Sequence, residues 1–165
     1  MEFAPSPAAK YERLYFETYM GLVHNAVGSR MFNNFYLRAP EGDVIDATSG
    51  GLNSCAFFVS SLLVIVGKIS DIHGTVLATV EDLQESGWQQ EAEEMMEPGD
   101  VLVWRAMPAD DGTWRRHLGF YVGSGWAVSN SSRLRMVTTC RVDFEGSLGI
   151  ERVFRYPWQH VPSFA

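Results

Sequence analysis

Cysteine is scarce in this chain. Two residues, Cys55 and Cys140, among 165 cannot knit a disulfide scaffold, so a packed core has to hold the fold. Long apolar runs are also missing. The longest, residues 56–66, is interrupted by Ser60 and Ser61 and falls short of the roughly 20 residues that cross a bilayer. No membrane span is expected. Basic residues are the minority charge, with 13 Lys and Arg against 20 Asp and Glu and a formal net charge of −7. That balance excludes nucleic acid as a main partner, because phosphate binding wants a basic surface. No two histidines or cysteines stand at a metal-ligand spacing, so neither a metal nor another cofactor is expected. The opening MEFAPSPAAKYERLYF has no basic stretch followed by an apolar one and does not read as a secretory signal. The chain reads as soluble, and either cytoplasmic or exported by another route. Repeats and low-complexity segments are absent as well.

What is present is core material: 46% hydrophobic and 13% aromatic residues, enough for one ordinary domain. Residues 1–9 read as a loose Pro- and Ala-rich arm and residues 10–165 as a single domain. Apolar residues at helical spacing predict a helix over 10–27, with Gly28 as its stop. Short strands are expected at 34–38 and 43–47, joined by a turn at Pro40-Glu41-Gly42. After Gly50-Gly51, Asn53 or Ser54 caps an apolar helix that starts at Cys55, runs to about 66 and ends at Gly67. A shorter helix is expected over 79–85. An acidic, partly helical face follows at 91–97. From Pro98-Gly99-Asp100 onward the pattern turns to strands, at 101–104, 116–122, 126–130 and 151–156, with Gly123-Ser124-Gly125 as a hairpin turn. Helices first and strands afterwards predict an α+β fold around an antiparallel sheet.

Chemistry concentrates at two places. Free cysteine has a pKa near 8.5, and a helix N-terminus favours its thiolate. Cys55 stands at such a terminus, among the small residues Gly50, Gly51, Ser54 and Ala56, which leave room for a substrate. Its backbone N–H is a candidate oxyanion donor. Cys140, in Val137-Thr138-Thr139-Cys140, has no helix start and reads as a buried hydrophobe. Of four histidines, His117 opens the strand Leu118-Gly119-Phe120-Tyr121-Val122, from which it can reach a facing helix terminus. Arg115 and Arg116 precede it and read either as contacts for an acidic substrate or, as is commoner, as arginines that face water. His73, between Asp71 and Gly74, reads either as a cleft residue or as a structural loop residue. His24 and His160 carry no evident chemistry.

Ser54-Cys55-Ala56-Phe57-Phe58-Val59, then Pro98-Gly99-Asp100-Val101-Leu102-Val103-Trp104, then His117-Leu118-Gly119-Phe120-Tyr121-Val122-Gly123 resembles the NlpC/P60 superfamily of papain-like cysteine peptidases and amidases, related to CHAP amidases. The resemblance covers roughly residues 43–130. It implies a nucleophile-bearing helix packed on an antiparallel sheet of five or six strands. It further implies cofactor-free hydrolysis of peptide or amide bonds, mostly in bacterial peptidoglycan, through Cys55 and His117. A third polar residue on the next strand is implied to orient the imidazole. Hairpin register points to Ser129, whereas Asn130 has the chemically suitable amide and is the preferred assignment. Ser54, Ser129, Tyr36 and His73 are the candidate substrate-contacting residues. The family's upstream Tyr, whose hydroxyl assists the oxyanion hole, has no matching position in the pattern; Tyr36 is the candidate for it, some distance from Cys55 in sequence. The chain departs from the pattern at Ser54, usually Asp, and at Ala56, usually Ser. Two rivals stay open beside a peptidase: an acyltransferase or lipid-acting enzyme, and a binding module that has lost catalysis.

Overall fold

The computed structural model describes residues 11–108, 111–144, 146 and 149–158. The arm expected over 1–9 lies outside them. The chain forms α1 (Tyr15–Asn25), β1 (Tyr36–Arg38), β2 (Val44–Asp46), α2 (Cys55–Ile65), α3 (Val76–Glu85), β3 (Gln89–Glu91), a 3₁₀ turn (Glu93–Met95), β4 (Val101–Pro108), β5 (Trp114–Gly123), β6 (Trp126–Ser131), β7 (Met136–Arg141) and β8 (Ile150–Arg155). The six strands β3 to β8 make one antiparallel sheet in the order β3-β8-β4-β5-β6-β7, and β1 with β2 makes a separate ribbon. The fold is α+β, as the pattern predicts.

Period-two alternation along β4 divides the core. Val101 and Val103 join Leu118, Phe120 and Val128 beneath the helices, where Tyr19, Val23, Phe58, Val59, Leu62 and Leu63 cover them. Leu102 and Trp104 face the other way, with Ala127, Ile150 and Val153. Helix α2 is central and apolar around most of its circumference, which is why seven of its eleven residues are buried. It packs mainly against β5 and β6, two inner strands of the sheet.

Differences from the sequence reading have local causes. Helix α3 starts at Val76, three residues earlier than expected, because Thr75 accepts a hydrogen bond from the Ala78 N–H and caps it. The acidic stretch contributes only a 3₁₀ turn, and β3, unexpected, pairs with β8 just ahead of it. In Pro98-Gly99-Asp100, Gly99 has φ +99° and a Cβ there would stand 2.7 Å from the Phe16 ring, so glycine is required. Asp100 is buried and accepts from the Arg155 guanidinium at 2.8 and 2.9 Å, tying β4 to β8. At the far edge, Gly28 donates to the Val137 carbonyl and the Val137 N–H donates to Ser29, so the turn after α1 clasps β7.

Candidate active site

The loop that leads into Cys55 is built around Asp46. Its carboxylate accepts from the N–H groups of Phe35, Thr48 and Gly50, the Thr48 hydroxyl at 2.6 Å and the Asn34 amide. The Thr48 hydroxyl leads a set of bonds that holds Asp46 well below the usual carboxylate range, against the opposing effect of burial. The sequence reading did not single out Asp46; Asp46-Ala47-Thr48 was its signal, since Asp followed by Thr favours a side-chain-to-backbone turn.

Cys55 is the first residue of α2 and is partly buried. Burial pushes its thiol pKa up, opposed by the N–H groups of Leu118, Ala56 and Cys55 itself, which lean toward the sulfur. The Leu118 N–H places the sulfur beside the peptide that carries His117. His117 is partly buried, with the rings of Trp104 and Phe144 at 5.5 and 5.7 Å. Burial lowers its pKa to about 4. Both groups are therefore neutral at pH 7, and among the described residues no hydrogen bond joins Sγ to the ring. Catalytic hydrogen bonds are commonly long before a substrate is present.

His117 Nε2 lies 2.5 Å from Ser129 Oγ, and Oγ lies 2.6 Å from the Leu118 carbonyl. This pair of contacts fixes the tautomer. A carbonyl only accepts, so the single hydroxyl proton goes to Leu118 and Oγ must accept from Nε2–H. Nδ1 is left with the lone pair and is the ring's basic atom. Gly119 makes the arrangement possible, because a Cβ there would meet the Val128 carbonyl at 2.8 Å and Ser129 Cβ and the Trp104 ring at 3.0 Å.

Asn130, the preferred partner of the imidazole, points elsewhere. Its Nδ2 donates to the Gly51 carbonyl at 3.2 Å and its Oδ1 is buried without a partner. Adjacent strand residues face opposite sides of a sheet, so Ser129 shares the His117 face and Asn130 shares that of Leu118 and Val128. The one register shift between β5 and β6 falls at Tyr121 and Gly123, beside the hairpin turn, and Phe120 pairs with Val128 on the far side of it. Cys55, His117, Ser129 and Asn130 all line one open cleft of about 1030 Å³. Tyr36, Ser54 and His73 do not line it. Tyr36 is 65% exposed on the β1–β2 ribbon. Ser54 is buried at the N-cap position of α2, with no side-chain cap bond. His73 Nε2 lies 2.7 Å from Asp82, a buried carboxylate that also accepts from the Ser70 and Asp71 N–H groups and the Ser70 and Ser86 hydroxyls. Burial would raise the Asp82 pKa, but these bonds outweigh it and hold the group ionised. Arg115 and Arg116 do line the cleft, Arg116 paired with Glu151 at 2.8 Å and Arg115 bonded to Asn53, Thr113 and Asp111.

Neither a protein-family model nor a curated protein sequence matches the chain. Solved structures do. The NlpC/P60 domain of the peptidoglycan hydrolase SagA superposes with a TM-score of 0.50 at 14% identity, covering 85% of this chain and 97% of that one. A Staphylococcus aureus protein described as similar to a lipoprotein of the NLP/P60 family gives 0.52 at 11% identity, over 94% of this chain and 44% of that one. NlpC2 from Trichomonas vaginalis gives 0.51 at 18% identity, over 89% of this chain and 48% of that one. The chain thus has the fold of NlpC/P60 domains, a papain-like α+β architecture. It spans about half the length of the latter two proteins.

Proposed function

We propose that the chain is a cysteine hydrolase of peptide or amide bonds, with peptidoglycan peptides as its substrate class. The observation that carries the reading is that Cys55 and His117 open onto one cleft while Ser129 occupies Nε2 and leaves Nδ1 basic. Because burial disfavours both charged forms, proton transfer accompanies attack instead of preceding it. As Sγ bonds to the scissile carbon, His117 Nδ1 takes the thiol proton, and the carbonyl oxygen gathers negative charge near the Cys55 N–H. Ser129 accepts from the imidazolium so formed. The imidazolium then protonates the leaving amine as the C–N bond breaks. Water, losing a proton to Nδ1, cleaves the thioester and restores the thiol. The substrate class is supported by the likeness to a peptidoglycan hydrolase domain. Muropeptide digestion followed by mass spectrometry tests the reading. Cys55→Ala and His117→Ala are expected to abolish turnover, and unchanged turnover in Cys55→Ala refutes it.

One observation favours acyl transfer as a second reading. Leu52, Leu77, Met107 and Trp114, between 42% and 70% exposed, line the same cleft, and an apolar acyl chain suits such surroundings. With thioester or phospholipid donors, an adduct on Cys55 that passes to an amine and not to water would establish it.

A further inference from the structure

We infer that Asn53 is a catalytic residue whose side-chain amide gives the second oxyanion-hole hydrogen bond, and that Arg115 is the positioning residue that aims it. The inference rests on the proposed thiol chemistry of Cys55. When Sγ adds to a carbonyl the charge forms on the carbonyl oxygen, which oxyanion holes commonly meet with two donors, and Tyr36, the candidate for the second, stands outside the cleft. Helix α2 begins uncapped: the N-cap Ser54 makes no side-chain bond, and Phe58 N–H to Ser54 carbonyl is the first helical bond. The earlier N–H groups are thus outside the ladder.

Asn53 precedes Cys55 by two residues and lines the cleft with it. In an Asx turn an Asn side chain reaches the backbone N–H two residues on, which for Asn53 is that of Cys55. Usually its oxygen would bond that N–H. Here the oxygen is taken, because the Arg115 guanidinium bonds Asn53 Oδ1. A guanidinium only donates, so the amide orientation is decided. Oδ1 faces Arg115, and Nδ2, with two N–H donors, has no acceptor among the described residues. Arg115 is itself braced, its Nε on the Thr113 hydroxyl at 3.0 Å and its Nη2 on the Asp111 carboxylate. The turn between β4 and β5 therefore holds the guanidinium, and the guanidinium holds the amide. The other cleft amide, Asn130, has its nitrogen committed to Gly51.

Two reagents separate this role from a structural one. p-Nitrophenyl acetate acylates a thiol through an oxyanion: the Sγ–C bond forms, the C–O bond to nitrophenolate breaks, and the thiol proton leaves to His117. Iodoacetamide alkylates by displacing iodide and forms no oxyanion. Asn53→Ala is expected to slow acylation of Cys55 by about 10²- to 10³-fold, the usual cost of one oxyanion donor. Alkylation should stay within about twofold, which also certifies the fold. Arg115→Ala should slow acylation alone, Arg115→Lys should recover part of it, and adding Arg115→Ala to Asn53→Ala should change nothing further. Acylation within about threefold of the parent in Asn53→Ala overturns the inference and leaves the nucleophile standing. An equal fall with both reagents overturns it too, as a structural effect. If the parent chain takes neither reagent at Cys55, the thiol reading itself fails.

Discussion

Replacing Ser129 by alanine isolates the tautomer lock. The hydroxyl makes two contacts, at 2.5 Å to His117 Nε2 and 2.6 Å to the Leu118 carbonyl. Its loss frees the ring to place a proton on Nδ1, where it is useless as a base. It also withdraws the acceptor that supports the imidazolium during attack. A neutral hydrogen bond contributes about 1 kcal/mol net, and one to a charged group about 1.5–3. The difference, roughly 0.5–2 kcal/mol, appears only in the transition state and predicts a fall of about 2- to 30-fold in the acylation rate. Two buried polar groups lose their partner, so unfolding free energy should drop by about 1–3 kcal/mol. Stopped-flow acylation with p-nitrophenyl acetate and urea unfolding measure the two. Asn130→Ala, which removes only the Gly51 bond, should cost about 1 kcal/mol of stability and disturb acylation less. If Ser129→Ala acylates at the parent rate while Asn130→Ala is slowed more than tenfold, the tautomer argument is wrong and the amide is the partner.

Other expectations follow from the same geometry. His117 has a folded pKa of about 4 against an ordinary 6.5, so the unfolded chain protonates first. Stability should fall by up to ~3 kcal/mol as pH drops from about 6.5 to 4 and then level off for this residue. His117→Gln should lose that slope in urea titrations, and parallel curves would contradict the assignment. Iodoacetamide alkylation of Cys55 should rise with pH through a midpoint above the ordinary value of about 8.5, with no acidic plateau. A plateau below pH 7 would reveal a resting ion pair instead. A high midpoint is shared by a catalytic site and an inert one, so acylation has to discriminate between them. His73→Ala should cost about 1–3 kcal/mol, seen as a lower urea midpoint, and leave acylation intact, because His73 serves Asp82 and not the cleft. A loss of acylation at unchanged stability would return His73 to the site.

Where the sequence was legible, periodicity or a turn carried the information. The span of α2 and the strand bearing His117 follow from apolar patterning and from Gly51, Gly67 and Gly123 around them. Strand β3, Gln89-Gln90-Glu91, has no pattern to detect, since its backbone is held by β8 and not by its side chains. Asn130 was preferred on chemical type, but side-chain parity on β6 gives Ser129 the imidazole. Parity is a property of the strand and was readable; amide chemistry outweighed it. The Arg115–Asn53 contact joins residues 62 apart, and no local pattern announces such a meeting.

The clasp of Gly28 and Ser29 on Val137 bears on how copies of this chain behave toward one another. A bare edge strand offers its unpaired backbone as a template for a neighbour's strand. At one end of the sheet the edge is β3, three residues of glutamine and glutamate, too short and polar to recruit much. At the other, β7 is longer, and the turn after α1 occupies it near its start, at Val137. Trimming the chain past Ser29 would strip that guard, and strand-exchanged aggregates growing from β7 are the consequence to watch for in any shortened form.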